Sequence, residues 1–311
     1  MRYSGVGGQA VMEGVMMRNG DEYAVAVRKP DKTIEVKKFE YKSAKKTKGL
    51  RNIPFIRGIF NFIDSLYLGM NTLMYSASFF EDEEEEQDLS KMTEEEKAIY
   101  EKKKAKEEKA WMGGTVVLSV VLALAIFFAL PYFLSGFFHK VISSEILIAL
   151  LEGIIRLAIF IGYIILISTN EDIKRTFMYH GAEHKCIKCI EHGLELNVEN
   201  VKKSSKQHKR CGTSFLLIVM LISIVFFMFI RVDSKILRLV LRLLLIPVIA
   251  GVSYEFIRLA GRFDNWFVNM ISQPGLWMQR LTTIEPDEDM IEVGIASVEA
   301  VFDWKTWQEE E

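Results

Sequence analysis

His180, Glu183, His184, Cys186 and Cys189 fall within one short stretch, HGAEHKCIKC, residues 180–189. On a helix His180 and His184 are i,i+4 neighbours and point the same way, with Glu183 close to that face. H-x-x-E-H is the inverted zinc-protease spacing, in which two histidines hold a metal and the glutamate activates water. Downstream, QHKRCGTS offers His208 and Cys211 as further ligands. His180, His184, His208 and Cys211 would complete a tetrahedral site for zinc or another divalent metal, with Glu183 as the catalytic base.

A rival set uses the same stretch differently. Cys186-x-x-Cys189 with His208-x-x-Cys211 has the spacing of a structural zinc knuckle. Helix continuity decides between them. A helix that runs unbroken through residue 189 turns Cys186 nearly opposite His184, at ~100° per residue. Glu191 shares the histidine face but lies ~10 Å further along the axis, which puts it outside the ligand set or in a supporting position. A third reading has no metal, only loop histidines on a basic surface that touches anionic lipid.

The elements that must position this stretch are unusual for a soluble enzyme. The chain of 311 residues is 50% hydrophobic and 26% charged, with the two kinds segregated into blocks. A net charge of -2 gives no indication of a nucleic-acid partner. No secretory leader is visible in MRYSGVGGQA, so insertion is expected through internal helices. Four runs are apolar enough to cross a bilayer: 115–135, 146–168, 213–230 and 236–261. The 169–212 segment carries nine Lys and Arg, whereas 136–145 carries only Lys140. Five lysines from Lys102 to Lys109 precede the first run. Together these place both termini and the 169–212 segment in the cytoplasm, with Arg231 and Lys235 counting weakly against. All three cysteines then sit in a reducing compartment, which favours a metal over a disulfide. Within the spans, Glu152 and Arg156 are i,i+4 partners, Arg238 and Arg242 are likewise spaced, and Glu255 and Arg258 lie near the cytoplasmic end of the fourth. They read either as structural pairs or as a polar path.

The fold class expected is mainly α: a four-span helical membrane protein. Its small α+β cytoplasmic domain is built from the N-terminus, the 169–212 loop and the C-terminus. Residues 1–52 form an N-terminal segment with a β-hairpin at 23–41 around Pro30 and Asp31. Residues 53–80 form an apolar helix with one polar stripe, Arg57, Asn61, Asp64 and Asn71, lying at the interface or against the spans. Residues 81–114 form a charged linker, 115–168 the first two spans and 213–261 the last two. Residues 262–311 form a C-terminal segment whose amphipathic helix starts at Pro286. The segment GGQAVMEGVMMR has no phosphate-loop lysine. Gln9, Glu13 and Arg18 either line the histidine cleft, or Glu13 and Arg18 pair within a packed segment.

VGGQAVMEGVMMR (6–18), YHGAEHK (179–185), RCGTSF (210–215) and LTTIEPDEDMIEV (281–293) together resemble the YqhQ-like family of bacterial membrane proteins. The resemblance spans nearly the whole chain. It implies a multi-pass protein of the bacterial cytoplasmic membrane and, from the label that family often carries, a metal-dependent enzyme. Residues matching its motifs are His180, Glu183, His184, His208 and Cys211; Cys186 matches less well, which weighs against the knuckle. Two functions fit. One is a membrane-embedded, metal-dependent hydrolase facing the cytoplasm. The other is a non-enzymatic factor that assembles or inserts other membrane proteins, with the bilayer as its setting and a structural metal. An open coordination position favours the first, and four closed ligands the second.

Overall fold

The computed structural model describes residues 2–41, 49, 52–80, 93, 111, 113–230, 232, 234–263 and 265–310. It is mostly helical, with one small sheet. Four antiparallel strands, β1 (Gly7–Val11), β2 (Gly14–Asn19), β3 (Glu22–Arg28) and β4 (Ile34–Glu40), pair in sequence order. The helices are α1 (Ile56–Ala77), α2 (113–140, with a π-helical turn at Ala125–Ala129), α3 (Glu145–Ile167), α4 (Glu171–Glu191) and α5 (Val198–Lys203). They continue as α6 (Gly212–Met228), α7 (Lys235–Arg262), α8 (Trp266–Thr282), α9 (Glu288–Val301) and α10 (Trp304–Glu309). The chain divides into two compact units, one of Met1–Phe79 with Ile161–Glu311 and one of Phe80–Phe160.

Several sequence expectations change here. The hairpin at 23–41 is β3 and β4, but the sheet has two more strands, from the segment with the glycine pair. The 169–212 stretch is largely helical rather than a loop, and the C-terminal segment holds three helices, not one. Among the described residues, three helices are long and apolar enough to cross a membrane: α2, α3 and α7. The expected run 213–230 forms the shorter apolar helix α6. The charged linker, apart from residues 93, 111, 113 and 114, lies outside the described residues, as do the lysines Lys102 to Lys109 and Arg231.

In the larger unit one face of the sheet, through Val15, Met17, Ala24 and Ala26, packs with Tyr179, Ala182, Cys186 and Ile187 of α4 and with Met290, Ile291 and Val298 of α9. The cap Asp287 accepts from Met290 N at 2.9 Å and starts α9 at Glu288, two residues after the expected Pro286. Helix α1 is inverted relative to a soluble amphipathic helix. Three of its four stripe residues turn inward, Arg57 paired to Glu255, Asn61 bonded to Tyr254 and Asp64 to Tyr41, while Asn71 is exposed. Ile63, Leu66, Tyr67 and Leu73 face outward. Such a surface suits lipid or apolar neighbours.

In the smaller unit Glu152 and Arg156 pair at 2.7 Å and are almost fully buried. Arg156 also donates to the Phe127 carbonyl at 2.9 Å. That carbonyl belongs to the π-helical turn Ala125–Ala129, where the helical hydrogen-bond pattern is irregular.

Candidate metal centre

Helix α4 is what turns the H-x-x-E-H spacing into a site. Asn170 caps it, accepting from Asp172 N at 2.9 Å and Ile173 N at 3.2 Å. Glu171 and Asp172 in the first turn and Lys188 in the last match the helix dipole. The helix runs unbroken to Glu191, so His180 and His184 share one face and Cys186 takes another. Their ring centroids are 4.4 Å apart.

Each ring is oriented by a backbone carbonyl. His180 Nδ1 lies 2.8 Å from Thr282 O, and His184 Nδ1 lies 2.7 Å from Lys206 O. A carbonyl can only accept, so both Nδ1 atoms carry the hydrogen and each Nε2 is left to act as ligand. Cys211 Sγ completes the group, 3.2 Å from His180 Nε2. The ligand atoms of His180, His184 and Cys211 lie within 4.8 Å of one another. A tetrahedral ion with Zn–N of ~2.0 Å and Zn–S of ~2.3 Å holds such atoms roughly 3.5 Å apart, so the set fits zinc after small adjustments. Glu183 stands beside them, its Oε2 3.9 Å from His180 Nε2.

Two glycines make this geometry possible. A Cβ on Gly181 would lie 2.1 Å from Ile284 O, so the strap at 282–286 can cross α4 only at a glycine. That crossing delivers the Thr282 carbonyl to His180. Lys185, the last residue of the same motif, pairs with Glu285 and donates to Lys202 O at 2.8 Å, holding the strap from the side. A Cβ on Gly8 would lie 2.5 Å from Met16 O on the neighbouring strand, 2.9 Å from Met17 Sδ and 3.0 Å from Glu183 Cγ, and the Gly8 N–H donates to the Glu183 carboxylate.

The site's charges are strongly perturbed. Burial pulls His180 down, but the Cys211 sulfur and Glu183 outweigh it and push it up to about 9. Burial raises Cys211, yet the two histidines hold it well below the usual thiol range. Burial raises Glu183 against the opposing pull of His184 and His180. A thiolate is the protonation state a metal-binding cysteine needs, and an ion entering the site would displace the Nε2 proton that this pairing leaves on His180.

His208 was expected among the ligands and stands outside the three-residue group. Its Nε2 lies 3.6 Å from Glu191 Oε2 and 3.1 Å from an Arg210 nitrogen. Gln279 clamps its backbone at both ends, at 2.8 and 2.7 Å. The reason is Glu191, fully buried and also bonded to Arg210 at 2.7 Å and to Ser4 N and Oγ at 3.1 and 3.0 Å. A carboxylate so placed needs cationic and polar partners, and it draws 208–210 toward itself. The effect is to anchor the loop that carries Cys211. The knuckle residues are elsewhere. Cys186 lies in the core against Gly294, and Cys189 Sγ is 3.3 Å from Glu195 O.

The N-terminal residues divide. Gln9 and Arg18 line a cleft of about 720 Å³ that also includes His180. Gln9 bonds Thr72 at 2.6 Å, and Arg18 donates to Gly20 O at 2.8 Å and stacks over Tyr41. Glu13 neither lines the cleft nor pairs with Arg18. It adopts a left-handed backbone (φ 48°) at the β1–β2 turn and binds Arg175 through both oxygens, at 2.6 and 2.5 Å, fastening that turn to α4.

Residues 53–304 match the family described as "Protein of unknown function (DUF1385)". No solved structure matches the chain. It is 34% identical over 292 residues to the "Uncharacterized protein YqhQ" of Bacillus subtilis (strain 168), covering 94% of this chain and 90% of that one. The motifs around the candidate centre and this similarity agree: the chain belongs to the YqhQ-like family of DUF1385 proteins.

Proposed function

We propose that the protein is a membrane-embedded, metal-dependent hydrolase whose site faces the cytoplasm. The observation that carries this is the donor set: three convergent ligands, His180, His184 and Cys211, with a buried carboxylate beside them instead of a fourth ligand. Catalytic zinc sites keep a position open in this way, whereas structural sites are closed, which favours the hydrolase over the assembly factor. A zinc-like ion in such a site supplies Lewis acidity and makes water acidic. Thr282 and Lys206 fix the ring orientations, Gly8 holds Glu183 in place, and Glu183 accepts the proton of the attacking water.

Four crossings fit this reading. Strand β2 and helices α4 and α9 belong to one core, so chain leaving that core must return to the same side. Helix α7 then needs a partner crossing between α4 and α9. At 17 residues α6 is ~25 Å long, at the short end of what a bilayer requires.

The test is metal analysis beside complementation of a deletion strain. About one zinc-like ion per chain is expected, lost in His180→Ala and in Cys211→Ser. Glu183→Gln is expected to keep the metal and lose function. Function that survives Glu183→Gln but not His180→Ala makes the metal structural and restores the assembly factor. One contact favours a second reading: Cys211 stands immediately before α6 with His180 Nε2 3.2 Å from its sulfur, as a thiol nucleophile and its base would sit. Activity that resists chelation but not alkylation would select it.

A further inference from the structure

Strand β1 is an edge of the sheet, paired with β2 on one side only. In an antiparallel pair, alternate residues turn their N–H and C=O toward the partner and those between turn them away. The bond from Arg28 N to Glu13 O fixes the phase: Glu13 addresses β3, so Gly14 addresses β1. Gly7, Gln9 and Val11, opposite Arg18, Met16 and Gly14, therefore face β2, while Gly8 and Ala10 face outward. The outward N–H of Gly8 is taken by Glu183. The Gly8 carbonyl and both backbone groups of Ala10 bond to nothing else among the described residues.

This open edge borders the cleft that contains His180. Gly5, Gly7 and Gly8 contribute no side chains, so the wall offers backbone. Opposite walls come from Leu68 of α1 and Leu216 of α6. The cations are committed: Arg210 to Glu191, and Arg18 to Gly20 O and the Tyr41 ring. An anionic headgroup would need them free, whereas an extended chain needs paired donors and acceptors at strand spacing.

We propose that β1 is a docking edge for an extended polypeptide, which adds to the sheet as one more strand and carries a peptide carbonyl to the His180–His184–Cys211 cluster. This deepens the hydrolase reading and rests on it for the chemistry alone. Water is the only co-reactant. Its oxygen bonds to the amide carbon, Glu183 takes one of its protons, the C–N bond breaks and that proton passes to the leaving nitrogen, giving a carboxylic acid and an amine; the acid's proton then passes to the amine, leaving a carboxylate and an ammonium.

The test uses full-length Glu183→Gln protein, zinc-loaded in nanodiscs, with reduced, carboxymethylated and fluorescein-labelled α-lactalbumin as an unfolded probe. Saturable binding is expected. Ala10→Pro removes the outward N–H at a position where an edge strand tolerates proline, and is expected to weaken binding about three- to tenfold with zinc content unchanged. Unchanged binding, or none in the parent, overturns the proposal. A short competitor peptide and its form N-methylated at alternate amides give a second measurement that needs no variant; equal competition by the two also overturns it. Wild-type protein that binds the probe without cleaving it keeps the docking edge and removes the hydrolase. Cleavage of a fluorogenic phospholipid with no binding of the probe keeps the hydrolase and removes the docking edge.

Discussion

Gly181→Ala separates the positioning of the ligands from the stability of the fold. The added Cβ would sit 2.1 Å from Ile284 O, where a carbon–oxygen contact needs ~3.3 Å. The strap at 282–286 must retreat by roughly 1 Å, since the helix backbone cannot. The 2.8 Å bond from His180 Nδ1 to Thr282 O then stretches beyond hydrogen-bond reach. Overpacking of this kind costs about 1–3 kcal/mol, and the change from glycine to alanine inside a helix returns up to ~1 kcal/mol. Stability should therefore fall only modestly. Zinc affinity should fall further, by about 10- to 100-fold, as when an outer partner of a metal-bound histidine is removed. Competition against a chromophoric chelator on the solubilised full-length protein reads this directly, with thermal unfolding of the same sample beside it. Gly162→Ala, with nothing within 4 Å of its Cβ, is the control and should leave zinc affinity unchanged. Wild-type zinc affinity in Gly181→Ala would refute the view that the strap orients His180.

Three further outcomes are expected. His184→Ala should abolish zinc binding, whereas His208→Ala should retain most of it, because the His208 ring is engaged by Glu191 and Arg210; equal losses on metal analysis would return His208 to the ligands. Cys186→Ser should lower thermal stability by about 1–3 kcal/mol by burying a hydroxyl in an apolar core, while metal content stays unchanged. Burial pushes Glu191 up, but the His208 ring and the Arg210 guanidinium win and hold it at about 2. Its contribution is therefore complete above the ordinary glutamate range of ~4.3 and is lost as pH falls from there toward 2, because the unfolded chain takes up a proton that the folded chain refuses. Unfolding followed against pH should show this slope, flattened in Glu191→Gln.

The parts of the site set by local periodicity were legible in the sequence, and the parts set by chain crossings were not. The i,i+4 spacing puts His180 and His184 on one face of any continuous helix, and the same periodicity turns Cys186 away. The stripe on α1 and the Asp287 start of α9 follow from rules of equal range. The β1–β2 hairpin was missed because glycines replace the alternating apolar residues that mark a strand, and these glycines leave the edge bare beside Glu183. Helix α8 was missed because Pro274 sits inside it, where proline usually signals an end. Spacing puts Glu191 far along the axis from His184, but its buried charge has its own demand for partners, which no spacing rule contains. That demand holds the His208 ring beside Glu191 and Arg210 and fastens the loop that carries Cys211. A third donor fixed by such an anchor, instead of by a fourth donor, leaves the remaining side of the candidate centre to Glu183 and the cleft, where the proposed hydrolase would take its water and its substrate.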